Sequence, residues 1–154
     1  MNPESSVVQG IRVASRAMVR ELGFMNTTLA ATDYPPSAVH ALLEIEAQGS
    51  LTAGQLVQAL GLEKSSVSRM LAKLVDAGEL TESPSSEDAR AKRLCLTEKG
   101  QKTVIAINHY ADEQVVAALQ KLAHYHQQAV YQGISSYADA LKACRNNSEL
   151  NGLS

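Results

Sequence analysis

Between residues 52 and 78 the chain is punctuated so closely that two short helices and a tight turn are the natural reading. Thr52-Ala53-Gly54-Gln55 sets a hydroxyl at a helix cap and an amide side chain three residues on, the spacing of a capping box. Leu56, Val57, Ala59 and Leu60 follow as apolar positions of a short helix, and Gly61 stops it. A second helix starts at once, from Glu63, with Val67, Met70, Leu71, Leu74 and Val75 inward, and Gly78 closes it. Two short helices joined by a glycine turn make a helix-turn-helix.

The flanks extend this unit. Leu80-Thr81-Glu82-Ser83 and Arg93-Leu94-Cys95-Leu96 read as two strands, with a polar loop from Pro84 to Arg90 between them. Together they predict a β-hairpin with a charged tip. Upstream, residues 5–31 place Val8, Ile11, Met18, Leu22 and Met25 at helical spacing until Tyr34-Pro35-Pro36 breaks the pattern. Ser37 can cap the next helix, whose apolar face is Val39, Leu42, Leu43 and Ile45. Downstream, Thr97 caps a helix with Glu98 in its first turn, reaching about residue 122. A last helix spans about 126–145, and the polar tail from Asn146 is expected to fray. The fold class is therefore mainly α, a winged helix-turn-helix with a small β-hairpin wing and long terminal helices.

Composition narrows the function classes. The 154 residues are 45% hydrophobic, enough for the core of one domain. The longest apolar run is the five residues 115–119, whereas a membrane-spanning helix needs roughly 20. The N-terminus is polar and shows no signal peptide, and two cysteines are too few for a disulfide scaffold. A reduced, cytoplasmic protein is the default expectation. A net charge of -2 argues against a chain that is basic throughout. Residues 64–102 nevertheless hold eight Lys and Arg against six acids, so a basic middle sits on an acidic body, which can steer toward a polyanion.

The helix from Glu63 carries the candidate chemistry. With its apolar side chains inward, Ser65, Ser66, Ser68 and Arg69 are left outward, flanked by Lys64 and Lys73. Small hydroxyls near a helix N-terminus allow close approach to a duplex and can donate to phosphates or base edges. Arg69 is long enough to reach a guanine edge or a phosphate. An ordinary solvated face is the bland alternative. At the hairpin tip, Arg90 can enter a minor groove, and Asp88 can hold its guanidinium by a bidentate pair. Lys92 follows as a phosphate-neutralising cation, and the bland alternative there is charge for solubility.

These words resemble the MarR family of bacterial transcription regulators. The resemblance is carried by Leu51-Thr52 with Leu56 and Leu60-Gly61-Leu62, by Ser65-Ser66-Val67-Ser68-Arg69, and by Leu74 with Gly78. The wing adds Asp88-Ala89-Arg90 and Leu94-Cys95-Leu96-Thr97-Glu98-Lys99-Gly100. The strong match covers about a third of the chain, and helix order and length extend it to nearly all of it. It implies a single domain over 1–154, with a DNA-binding lobe at about 36–100 and dimerisation helices at about 5–32 and 101–146. It further implies a homodimer on a pseudopalindromic operator in double-stranded DNA, with the recognition helix in the major groove and the wing arginine in the minor groove. Val7, Val8 and Ile11 at one end, and Val130, Ile134, Tyr137 and Leu141 at the other, lack an obvious partner within one chain, in keeping with such a dimer.

Many proteins of that family bind small anionic or aromatic effectors between the two lobes. Arg16, Arg20 and His40 lie on elements bordering that crevice, and a cationic wall suits a carboxylate or phenolate. Salt bridges to the acidic body are the alternative for the arginines, and a partly buried imidazole for His40. Organic-peroxide sensors of the family use a cysteine in the first helix, which is absent here. Cys95 and Cys144 read as small packing residues, although Cys144 near a dimer axis could be oxidised. His124 and His126, two apart on a helix, do not chelate, so neither a metal nor a cofactor is expected. No catalytic triad, phosphate loop or dinucleotide fingerprint is present, so an enzyme is not expected. The expected function is sequence-specific transcriptional regulation, as a repressor relieved by a small molecule. The alternatives are a dimeric winged-helix adaptor without sequence-specific DNA binding and a ligand carrier that has lost it.

Overall fold

Positive-φ glycines end the helices where the spacing asks for it. The structure, a computed structural model, describes residues 1–84 and 91–152. Among them run α1 (Ser5–Glu21), α2 (Pro36–Gln48), β1 (Leu51–Thr52), α3 (Ala53–Leu60), α4 (Lys64–Asp76), β2 (Leu80–Pro84), β3 (Lys92–Leu96), α5 (Glu98–Leu119) and α6 (His124–Asn151). Gly49 and Gly61 cap α2 and α3 with φ of 81° and 63°, values a side chain strains to adopt. The capping box forms as read: the Gln55 N–H donates to Thr52 Oγ1 at 3.2 Å, and the Thr52 N–H donates to Gln55 Oε1 at 2.9 Å.

Four boundaries differ from expectation. The first helix ends at Glu21 rather than near residue 31, because Gly23 turns left-handed at φ 84° and the following residues form successive turns. Thr32 Oγ closes the last of them on the Leu29 carbonyl at 2.6 Å. Ser37 does not cap α2: Pro35 holds the N-cap and Pro36 the first helical position, where a missing N–H costs nothing. The α5 helix stops at Leu119, and the turn to α6 is fastened by Gln127 Nε2 donating to the Leu119 carbonyl at 3.1 Å. Finally, α6 runs through the tail expected to fray, since no Gly or Pro stands between Asn146 and Gly152.

The sheet is antiparallel in the order β1-β3-β2. Hairpin strands β2 and β3 pair from Leu80↔Leu96 to Pro84↔Lys92, while β1 adds only Leu51↔Leu94 and Thr52↔Arg93. That short third strand has no signature in the sequence, because two residues carry no period.

Two compact units divide the chain, Met1–Ala111 and Asp112–Ser154. The core of the first draws Val39, Leu42 and Ile45 from α2, Leu56 from α3, and Val67, Leu71 and Leu74 from α4. Leu80, Leu94, Val104 and Ile107 complete it from the strands and α5. Helix α1 adds no buried residue. In the second unit α6 buries none either, and Ile134, Tyr137 and Leu141 remain exposed.

Candidate nucleic-acid interface

The solvent-facing side of α4 follows from its period. Val67, Leu71 and Leu74 point into the core with Met70 half-buried beside them, so the 3.6-residue repeat turns the other positions to solvent. Lys64, Ser65, Ser66, Ser68, Arg69 and Lys73 are all exposed, as read from the sequence. Thirteen residues give a rod of about 20 Å. Exposed Ala72 adds a second small side chain beside Ser68, leaving the backbone accessible to a duplex. Among the described residues, none of these six side chains is engaged in a hydrogen bond or ion pair with the protein. The free hydroxyls and cations are available to an outside partner.

Clefts flank α4 on both sides. A groove of about 480 Å³ lies between α4 and the wing, lined by Thr52, Gly54, Ser68, Ala72, Glu82 and Lys92. A smaller cleft of about 220 Å³ lies between α4 and the start of α2, with Ser66, Arg69 and Lys73 on one wall and Tyr34 and Pro35 on the other.

In the wing, Lys92 Nζ meets Glu82 Oε2 across the hairpin at 3.3 Å, with side chains 69% and 41% exposed. So exposed a pair is weak and leaves the ammonium free to exchange partners. Asp88 and Arg90 lie outside the described residues. Arg93, at the start of the returning strand, turns inward: its guanidinium donates through Nε to Ser50 Oγ and through Nη2 to the Ser50 carbonyl, each at 2.8 Å.

A second departure from the surface reading is Glu79, which the sequence offers only as one acid of a charged stretch. It is 2% exposed, the one buried charged residue among those described. Its Oε1 accepts from the Tyr34 hydroxyl at 2.8 Å and faces Lys99 Nζ at 3.9 Å, while Oε2 has no hydrogen-bond partner among the described residues. Lys99 Nζ is held more closely by the Ala77 carbonyl, at 2.6 Å, near the C-terminal end of α4. Burial, then the bond to Glu79 and the nearby charges of Glu79 and Asp33, push the Tyr34 phenol up to about 12. The Glu79 carbonyl also accepts from the Thr97 N–H at 3.0 Å, and Thr97 Oγ in turn caps α5 through the Gly100 N–H at 3.0 Å. A side chain at Gly100 would overlap the Glu79 carbonyl oxygen. Glu79 thus binds together the segment before α2, the end of α4 and the start of α5. Its pairing with Tyr34, 45 residues away, leaves no local signal in the sequence.

Arg16 and Arg20 lie one turn apart on α1, exposed, and neither makes an ion pair among the described residues. The salt bridges considered for them do not form there. His40 is exposed on α2 with its ring edge-on to Phe24, centroids 5.4 Å apart. None of the three lines either cleft beside α4. Cys95 is half-buried on β3, whereas Cys144 is exposed on α6 and is not a packing residue within the chain.

Comparison with known proteins agrees with this geometry. The MarR family profile matches residues 32–91. The structure of FabT from Streptococcus pneumoniae, solved in complex with DNA, superposes with a TM-score of 0.76 at 18% identity, covering 89% of this chain and 99% of that one. BpsR from Bordetella bronchiseptica, whose DNA binding is regulated by 6-hydroxynicotinic acid, gives 0.68 at 18% identity over 84% of this chain and 98% of its own. PcaV from Streptomyces coelicolor, with its natural ligand, gives 0.65 at 22% identity over 92% and 99%. The shared fold is a winged helix.

Proposed function

We propose that this chain, which belongs to the MarR family through residues 32–91, is a sequence-specific DNA-binding regulator that works as a homodimer. The observation that carries the reading is the solvent-facing side of α4, where three serines and three cations stand without partners among the described residues. Ser65, Ser66, Ser68 and Arg69 read the major groove, and Lys64, Lys73 and Lys92 neutralise phosphates. Arg90, oriented by Asp88, enters the minor groove.

A two-fold protein places two such helices about 34–36 Å apart, one turn of a pseudopalindromic operator. The exposed apolar residues of α1 and α6, among them Val8, Ile11, Ile134 and Leu141, supply the dimer contacts. The protein acts in the cytoplasm on the nucleoid, as a repressor rather than an enzyme. A small anionic or aromatic effector releases it by binding the DNA-incompetent spacing more tightly than the competent one. Arg16 and Arg20, unpaired among the described residues, are with His40 the side chains for such a ligand. The ligand in PcaV and the 6-hydroxynicotinic acid control of BpsR support this part by analogy.

The test is selection of genomic fragments by the purified protein near physiological salt, beside Arg69→Ala and Arg90→Ala. Recovery of one pseudopalindrome, bound at least about tenfold more weakly by either variant, is the expected result. Lys73→Ala should lower the slope of log affinity against log salt by about 0.9. Equal, sequence-indifferent recovery by all three proteins would overturn the reading in favour of a dimeric adaptor.

A further inference from the structure

Arg93 stands in the basic stretch of the wing, yet its guanidinium turns back toward the helical body. Among the described residues its two bonds both end on Ser50, one on the hydroxyl and one on the carbonyl, each 2.8 Å long. Ser50 lies between the Gly49 cap of α2 and strand β1. The fork therefore bridges residues 43 positions apart, and Arg93 is half-buried in making it.

Its place in the sheet gives the fork its consequence. The hairpin is well paired internally, over the five pairs from Leu80↔Leu96 to Pro84↔Lys92. Its attachment to the body through β1 is only two pairs long, and Arg93 sits in the pair nearer the tip. Leu80 and Leu94 anchor the base in the core. Beyond Leu94, the β3 side of the wing is fastened to the body by Thr52↔Arg93 and by the fork. Sheet edges with so short a ladder open locally at little cost, and a planar two-bond grip resists the hinge in a way one ammonium cannot.

We infer that Arg93 is a positioning residue: its fork on Ser50 sets the angle at which the wing leaves the body, and so where the wing meets DNA, without touching DNA itself. The inference rests on the DNA-binding reading above. It separates the neighbouring cations by task, with Lys92 exposed to a phosphate and Arg93 facing inward.

The test compares wild type, Arg93→Lys, Arg93→Ala and Ser50→Ala in two measurements. In the free protein, hydrogen exchange should quicken about tenfold at residues 80–84 and 92–96 in both Arg93 variants, with α2, α3 and α4 unchanged, and less in Ser50→Ala, which keeps the carbonyl. On the selected operator, Arg93→Lys should raise the Kd about fivefold to tenfold. Hydroxyl-radical protection of the minor grooves should fade while protection of guanine N7 in the major groove persists. In an Arg90→Ala background, Arg93→Lys should add nothing. Unchanged wing exchange, or full minor-groove protection in Arg93→Lys, overturns the inference. So does an additive loss of affinity in Arg93→Ala over Arg90→Ala with a salt slope lower by about one, which marks a direct phosphate contact. A wild-type protein that protects no operator overturns instead the DNA-binding reading, and the exchange data then still decide whether the fork holds the hairpin.

Discussion

Glu79 is held by contacts that can be broken one at a time. Tyr34→Phe removes the hydroxyl that donates to its carboxylate and leaves a buried charge without that bond, so the variant should lose about 1–3 kcal/mol in urea denaturation. Adding Glu79→Leu to Tyr34→Phe should restore most of that loss, because removing both partners leaves no orphaned polar group. The phenol itself sets a pH limit. Its pKa is raised from 10.0 to about 12 on folding, so its contribution to stability is complete below pH 10 and is lost as the pH climbs to about 12. Tyr34→Phe should flatten that part of a melting curve against pH, read by circular dichroism. Gly100→Ala drives a methyl into the Glu79 carbonyl and should cost about 1–3 kcal/mol by the same denaturation. Gly100 was legible as part of a motif but its reason was not, for the reason is an atom 21 residues away.

At the scale of elements, what the sequence reveals is what local chemistry decides. The capping box at Thr52 and Gln55 and the glycine stop at 61 act within four residues, and the structure keeps both. The outward face of α4 was equally legible, because its period alone separates Val67, Leu71 and Leu74 from Ser65, Ser68 and Arg69. What needed tertiary partners was missed. Strand β1 exists only as the complement of β3, and nothing in the sequence distinguishes Arg93 from an ordinary strand residue until Ser50 is beside it. The early end of α1 turns on the left-handed Gly23, a residue that lowers helical preference without fixing a boundary. Thr52→Ala tests the local part: loss of the cap should cost about 1 kcal/mol and lower the melting temperature, with the fold retained.

For the molecule as a whole, the bare apolar faces of α1 and α6 belong to the proposed dimer. Ile134→Glu with Leu141→Glu should give a monomer in sedimentation, keep the helical content of the first unit, and lose operator binding by more than about tenfold. Here sequence reading reached its limit, since periodicity shows that a face is apolar and cannot show what covers it. The same bare faces bear on gene dosage. If the proposed dimer is the form that binds, a chain made alone would carry Ile134 and Leu141 uncovered until a second copy arrived, and at low synthesis the functional pool would grow as the square of chain number. Halving the number of transcripts would then cut operator occupancy toward a quarter, giving the regulated promoter a threshold that no single residue of the recognition helix encodes.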